Sequence, residues 1–229
     1  MPFFGPATPS VMVVARRSAA PYDGTVPAHD DVLRLYGPWK KRTPQDAAAL
    51  LAGYPGVWWV AGGWAVDAYV RTSREHGDLD IGIPRASAKT FIDFVSSRLD
   101  VWAAAGSLTP LVPGTDWRLP DGCGNLWLRA SGADPWEYDV MLESVRGGRW
   151  ELKRDARVSR PLPECLWERD GVAYLRPEVQ LLLKAKDVRP KDDADFERCL
   201  PLLGEERRAW LAGSLAVAHP GHPWIERLA

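Results

Sequence analysis

The chain has 229 residues, 46% of them hydrophobic and 26% charged, with a formal net charge of −1. That length accommodates one large domain or a compact domain with a smaller one attached, and the composition is that of a globular chain rather than a disordered one. The balanced charge speaks against a nucleic acid held mainly through its phosphates, and no apolar run approaches the roughly 20 residues that cross a bilayer.

Residues 1–28 are rich in Pro, Ala, Gly and Ser without a sustained period, and are expected to form a flexible arm. Their short apolar patch at 11–15 precedes Arg16 and Arg17, the reverse of the order in a secretory signal, so the expected location is the cytoplasm. Met12 offers an alternative start. Thr43 and Pro44 read as the cap and first position of a helix ending near Leu51. A buried strand is expected at 57–61, a turn at Gly62 and Gly63, a helix at 64–71 and a second strand at 78–83. An amphipathic helix follows at 87–99, with Phe91, Phe94 and Val95 on one side. Turns and short strand-like pieces fill 110–134, and a third strand is expected at 136–142. Helices are then expected from Pro177, over 192–203 and over 205–218. Mixed elements followed by helices predict an α+β chain: a catalytic domain at 29–160 and a C-terminal helical region at 161–229.

The three cysteines, Cys123, Cys165 and Cys199, are too widely spaced for a metal-type pair and read as free thiols. His219 and His222 flank Pro220 and read as part of a turn. The twelve tryptophans are scattered from Trp39 to Trp224, as expected of core and pocket walls rather than one stacking platform.

The chemistry concentrates between residues 58 and 83. Along a strand, side chains alternate between faces, so Leu79, Ile81 and Ile83 would share the core face. Asp78, Asp80 and Gly82 would share the other, with Gly82 leaving space beside the acids. Two parallel carboxylates repel unless a cation lies between them, and Mg²⁺ is held by one or two carboxylates together with substrate phosphates. Gly62 and Gly63 would let a phosphate approach the backbone at the start of a helix, whose N-terminus favours anions. This is neither a P-loop, since no Gly-Lys-Ser/Thr follows, nor a dinucleotide fingerprint, since the third glycine is missing. A third carboxylate is expected from the later strand: Asp139 as the mid-strand choice, Glu137 as the fallback.

These residues resemble the nucleotidyltransferase superfamily that includes DNA polymerase beta. The run from Ala61 to Asp67, followed by Arg74 to Ile81, is similar to the aminoglycoside 2''-adenylyltransferase-like family, which also contains lincosamide nucleotidyltransferases. So are Leu175 to Lys186, Arg189 to Phe196 and the terminal His222-Pro223-Trp224. The resemblance covers roughly 40–228 and implies a nucleotidyltransferase-type mixed sheet with flanking helices. It implies that Asp78, Asp80 and Asp139 are the metal-binding and catalytic carboxylates and that Gly62 and Gly63 form the phosphate turn. It places Arg74 and His76 near the triphosphate, and makes Lys184 and Lys186 either phosphate ligands or part of a solvated helix face. The implied reaction moves a nucleoside monophosphate, AMP from ATP or its equivalent from another nucleoside triphosphate, onto a hydroxyl of a small aminoglycoside-like acceptor. Two Mg²⁺ ions would assist. Asp134, Glu137, Asp139 and Glu143 would make the cleft acidic and favour a cationic acceptor. The alternatives are transfer to a macromolecule, tRNA or protein, and a non-catalytic nucleotide-binding protein.

Overall fold

The computed structural model describes residues 35–228; the expected arm at 1–28 lies outside them. Gly37–Ala229 is one compact unit. Its helices are α1 (Pro44–Leu50), α2 (Gly62–Val70), α3 (Ala88–Val95), α4 (Pro177–Lys184), α5 (Pro190–Cys199), α6 (Glu205–Ala218) and α7 (Trp224–Arg227). An eight-stranded sheet is built from β1 (Trp59–Val60), β2 (Asp80–Pro84), β3 (Asp100–Ala104), β4 (Leu108–Pro110), β5 (Asn125–Arg129), β6 (Tyr138–Glu143), β10 (Leu166–Arg169) and β11 (Val172–Leu175). Its order is β10-β11-β1-β2-β6-β5-β3-β4. The β1–β11 and β2–β6 pairs are parallel and the others antiparallel, so the sheet is mixed and flanked by helices, as expected. A separate three-stranded sheet comprises β7 (Val145–Arg146), β8 (Arg149–Leu152) and β9 (Asp155–Pro161).

Local chemistry accounts for the element ends. In α1, the Thr43 hydroxyl accepts from the Asp46 N–H at 3.3 Å while the Asp46 carboxylate accepts from the Thr43 N–H at 2.8 Å, a reciprocal cap with Pro44 at the first helical position. Pro177 and Pro190 open α4 and α5 in the same way. Leu79, just before β2, and Ile81 and Ile83 on it are fully buried in one core with Val140 and Leu142 of β6 and Phe91, Ile92 and Val95 of α3. Each of these large side chains contributes roughly 1.5–3 kcal/mol by leaving water. Burial pushes the Cys165 and Cys199 thiols up to about 12, so they are inert protonated groups, and all three cysteines are free.

Three boundaries differ from expectation. Gly62 and Gly63 are the first residues of α2 rather than a turn before it, and β2 begins at Asp80, so Asp78 precedes the strand. The third difference concerns 161–229, which is not helical throughout. Its first part forms the β10–β11 hairpin, and β11 pairs with β1 through Val60 and Tyr174. The compact unit runs across the boundary at 160. The physical reason is that β1, only two residues long, is completed as a sheet strand by β2 on one side and β11 on the other. No helix among the described residues is long and apolar enough to cross a membrane.

Candidate active site

The parallel pairing of β2 and β6 sets Asp80 directly opposite Asp139. Side chains opposite each other in neighbouring strands share a face, so the two carboxylates stand side by side at the start of both strands. Burial raises the Asp80 pKa above the carboxylate range, and the negative charges of Asp139 and Asp78 raise it further; Lys184 and Lys191 oppose them. Asp139 is also raised, first by burial and then by Asp78, against hydrogen bonds from Asn125 and Trp127. The Asn125 amide donates to Asp139 Oδ1 at 2.6 Å and fixes that carboxylate's orientation. Mutual influence of this kind requires the three acids to be near neighbours. Asp78 is the exposed member.

Gly62 lies against this pair. It has φ +66°, and a Cβ there would collide with the Asp80 carboxylate. Glycine is therefore required both by the backbone conformation and by the acid packed beneath it. The α2 N-terminus brings its positive dipole end to Asp80. The Gly62 N–H itself is already used, donating to Oε1 of the buried Gln180 at 2.7 Å. Gly62 thus packs against the carboxylate, with its own N–H engaged by Gln180. Gly63 is closely packed: a Cβ there would sit 2.9 Å from His76 Nδ1 and 3.0 Å from Arg74 Nη2. His76 is stacked on Trp64 with ring centroids 4.3 Å apart, and its Nε2 lies 3.0 Å from Asp67 Oδ2.

The space expected beside Gly82 is filled. Trp59, opposite Gly82 on β1, lays its indole where a Cβ would be, and its buried Nε1–H has no partner among the described residues. The glycine is there for an aromatic ring, not for a ligand.

Behind the site runs a buried ionic network. Arg74 contacts Asp195 at 2.9 Å and Asp67 at 3.4 Å, Arg198 binds Asp67 at 2.8 Å, and Lys184 bridges Asp192 at 2.7 Å and Asp195 at 3.1 Å. Arg189 closes the chain on Asp192 at 2.7 Å. Burial works to raise Asp67 and Asp192, but hydrogen bonds from Arg198 and His76 to the first, and from Arg189 and Lys184 to the second, outweigh it. Asp67 is lowered and Asp192 falls to about 2. Lys184 is therefore a strut of the network whose charge also reaches Asp80. Lys186 stands apart: it lies beyond α4, is exposed, and pairs with Asp187 at 3.4 Å.

Glu137 does not join Asp139. It is buried and held by Arg42, whose Nε donates at 2.9 Å. Glu143 accepts from Trp150 Nε1 at 3.1 Å and pairs with Lys153 at 2.9 Å. Two of the four acids expected to attract a cation are thus neutralised by their own neighbours. Sequence reading missed Gln180, Asn125 and Arg189 as site residues. The charges of Asp78 and Asp80 both act on Arg189. Only the resemblance of Arg189 to Phe196 marked that stretch, and nothing in a linear sequence links Gln180 to Gly62.

Among the described residues, no group of three or more His, Cys, Asp or Glu side chains is arranged to hold a metal by itself. The hard oxygens of Asp80 and Asp139, set side by side, nonetheless fit the pattern of one or two carboxylates that Mg²⁺ uses with phosphate oxygens. The cations behind them are committed to Asp67, Asp192 and Asp195.

Residues 46–101, which hold the glycine pair and the Asp-x-Asp, match the family model described as aminoglycoside-2''-adenylyltransferase. No curated protein matches the chain. Among solved structures, the lincomycin-bound lincosamide antibiotic adenylyltransferase LnuA is similar at 16% identity and TM-score 0.45, over 66% of this chain and 90% of that one. ANT(2'')-Ia in complex with adenylyl-2''-tobramycin is similar at 14% identity and TM-score 0.46, over 73% and 92%. The solution structure of the antibiotic-resistance factor ANT(2'')-Ia is similar at 15% identity and TM-score 0.45, over 72% and 85%. The resemblance read from the motifs is met by the family model over their own segment, residues 46–101.

Proposed function

We propose that the chain is a metal-dependent nucleotidyltransferase that transfers a nucleoside monophosphate, AMP from ATP, to a hydroxyl of a small antibiotic-like acceptor. The observation that carries this reading is the pairing of Asp80 with Asp139 across β2 and β6, with Gly62 pressed against Asp80. Two desolvated acids in register are unfavourable unless their charge is used. Bound Mg²⁺, held by Asp80 and Asp139 with Asp78 beside them, would neutralise the triphosphate and the departing pyrophosphate.

The remaining roles belong to the chain's own groups. The triphosphate would lie over Gly63, where His76 Nδ1 and Arg74 Nη2 converge, with Arg189 and Lys191 adding positive charge from the start of α5. The acceptor oxygen attacks the α-phosphorus, the bond to pyrophosphate breaks, and the hydroxyl proton passes to Asp139, oriented by Asn125. Positioning and electrostatics supply most of the acceleration. The family match over 46–101 supports AMP as the transferred group and an antibiotic hydroxyl as its destination.

The test is pyrophosphate release across the four nucleoside triphosphates with Mg²⁺ and an acceptor mixture. Release with ATP that disappears in Asp139→Asn agrees with the proposal. Equal release from that variant would refute the assignment of the base.

A further inference from the structure

At the opposite end of α2 from the glycine pair, the molecule has a second cavity, of about 340 Å³. Its walls carry Arg71, Arg169, Arg176 and Arg207 beside Tyr69 and Trp167. The single carboxylate on its lining is the exposed Glu168. Four guanidinium groups against one acid would repel one another unless an anion or their own acceptors held them.

Structural duties account for only part of this set. Arg169 donates to the Ala68 carbonyl at 2.7 Å, an ordinary use of a cation at a helix C-terminus, and lies 3.3 Å from Asp170. Arg207 lies over the Tyr69 ring at 5.9 Å and donates to its hydroxyl at 3.2 Å, which in turn donates to the Leu202 carbonyl at 2.5 Å. Arg176 has no such explanation. Arg176 Nε is buried without a hydrogen-bond partner, and so is Trp167 Nε1 on the neighbouring wall. Arg71 ends α2 in a left-handed cap, its N–H donating to the Asp67 carbonyl, and its exposed side chain adds positive charge to the cavity wall. A buried donor left without an acceptor costs roughly 1–3 kcal/mol. Two of them on one arginine-lined cavity are explained by an acceptor-rich occupant.

We propose that this cavity is an anion site for phosphoryl groups, distinct from the nucleotidyl-transfer site and independent of that reading. Guanidinium forks match phosphate oxygens in pairs, and the Trp167 N–H supplies a further donor. The volume suits a di- or triphosphate rather than a folded macromolecular segment. The same chemistry is presented by a free polyphosphate and by the backbone of a single-stranded nucleic acid, and the two sources are separable.

The experiment is equilibrium binding of tripolyphosphate and, separately, of a short single-stranded RNA to the full chain, in EDTA so that the carboxylate site lacks a metal. Four proteins are compared: wild type, Arg176→Gln/Arg207→Gln, Asp80→Asn, and Trp167→Phe, which deletes one donor while keeping an aromatic wall. Binding by wild type, weakened about tenfold or more in the double variant and less in Trp167→Phe, is the expected result. Unchanged binding in Asp80→Asn locates it away from the carboxylates. Tripolyphosphate alone binding identifies a free anion as the ligand; tighter RNA binding with the same arginine dependence identifies the backbone. No binding of either probe, or binding indifferent to Arg176 and Arg207 in a protein with a native circular dichroism spectrum, overturns the proposal.

Discussion

Asp80 is the residue on which the site turns. It faces Asp139 across the sheet, touches Gly62 and feels the charges of Asp78, Lys184 and Lys191. Asp80→Asn keeps the shape and removes the charge, so turnover is expected to fall on the order of 10³-fold while the thermal midpoint holds or rises. Gly62→Ala must both adopt φ +66° and displace the Asp80 carboxylate. It should cost about 1–3 kcal/mol of stability as well as activity, which denaturant melts and turnover assays would report together. The raised acids also give a pH signature. A carboxyl whose folded pKa lies above its unfolded one binds more protons in the native state, so stability falls as pH climbs between the two values. For Asp80 and Asp139 that window opens near the ordinary Asp pKa of about 4 and extends to their raised folded values. Metal-free protein should therefore melt at a lower temperature as pH rises through that window, and Mg²⁺ with nucleotide should narrow the loss. A midpoint unaffected by pH there, with or without Mg²⁺, would contradict the pairing of these acids.

At the scale of elements, the ionic network ties α2, α4 and α5 together through Asp67, Lys184, Asp192 and Asp195. Asp195 is fully buried among Arg74, Lys184 and Arg198, so Asp195→Ala would strand three cations. A loss of about 3–5 kcal/mol is expected in chemical denaturation. Asp192, lowered to about 2, contributes stability that is complete above about 4 and is lost as pH falls towards its folded value. The elements differ in how far the sequence announced them. The helices at Pro44, Pro177 and Pro190 carry their own start signals, and the alternation of Leu79, Ile81 and Ile83 is intrinsic to β2 and the residue before it. The β7–β8 hairpin had a readable signal in Gly147-Gly148, both at positive φ as a two-residue turn requires, but Arg146 and Arg149 obscured the flanking strands. Strand β11 joins the rest of the sheet through β1, where Tyr174 pairs with Val60, 114 residues earlier. The Asp78 and Asp80 pair was legible because its spacing is local; the commitment of Glu137 to Arg42 and of Gly62 to Gln180 depends on partners far along the chain.

For the whole molecule, the mixed sheet places β2 and β6 at its centre and adds β11 and β10 beyond β1. Residues after 160 therefore do more than append helices. A chain ending at Pro161 would lose two strands, the Gln180 acceptor of Gly62 and the whole of α4 and α5. It is expected to lack a cooperative melt in circular dichroism, whereas an autonomous domain at 29–160 would retain one. The same arrangement bears on the acceptor. With Glu137 and Glu143 neutralised by Arg42 and Lys153, attraction of a polycation would rest on fewer charges than the sequence displays. Binding of a polyamine-like acceptor should accordingly be less salt-sensitive than the acid count implies. The central claim is adenylyl transfer to a small hydroxyl compound. Its most direct test is mass spectrometry of reactions holding the protein, ATP, Mg²⁺ and a panel of lincosamides and aminoglycosides, beside Asp80→Asn. An acceptor heavier by one AMP in the wild-type reaction and absent from the variant is the predicted result; unmodified acceptors together with no detectable nucleotide binding would contradict it.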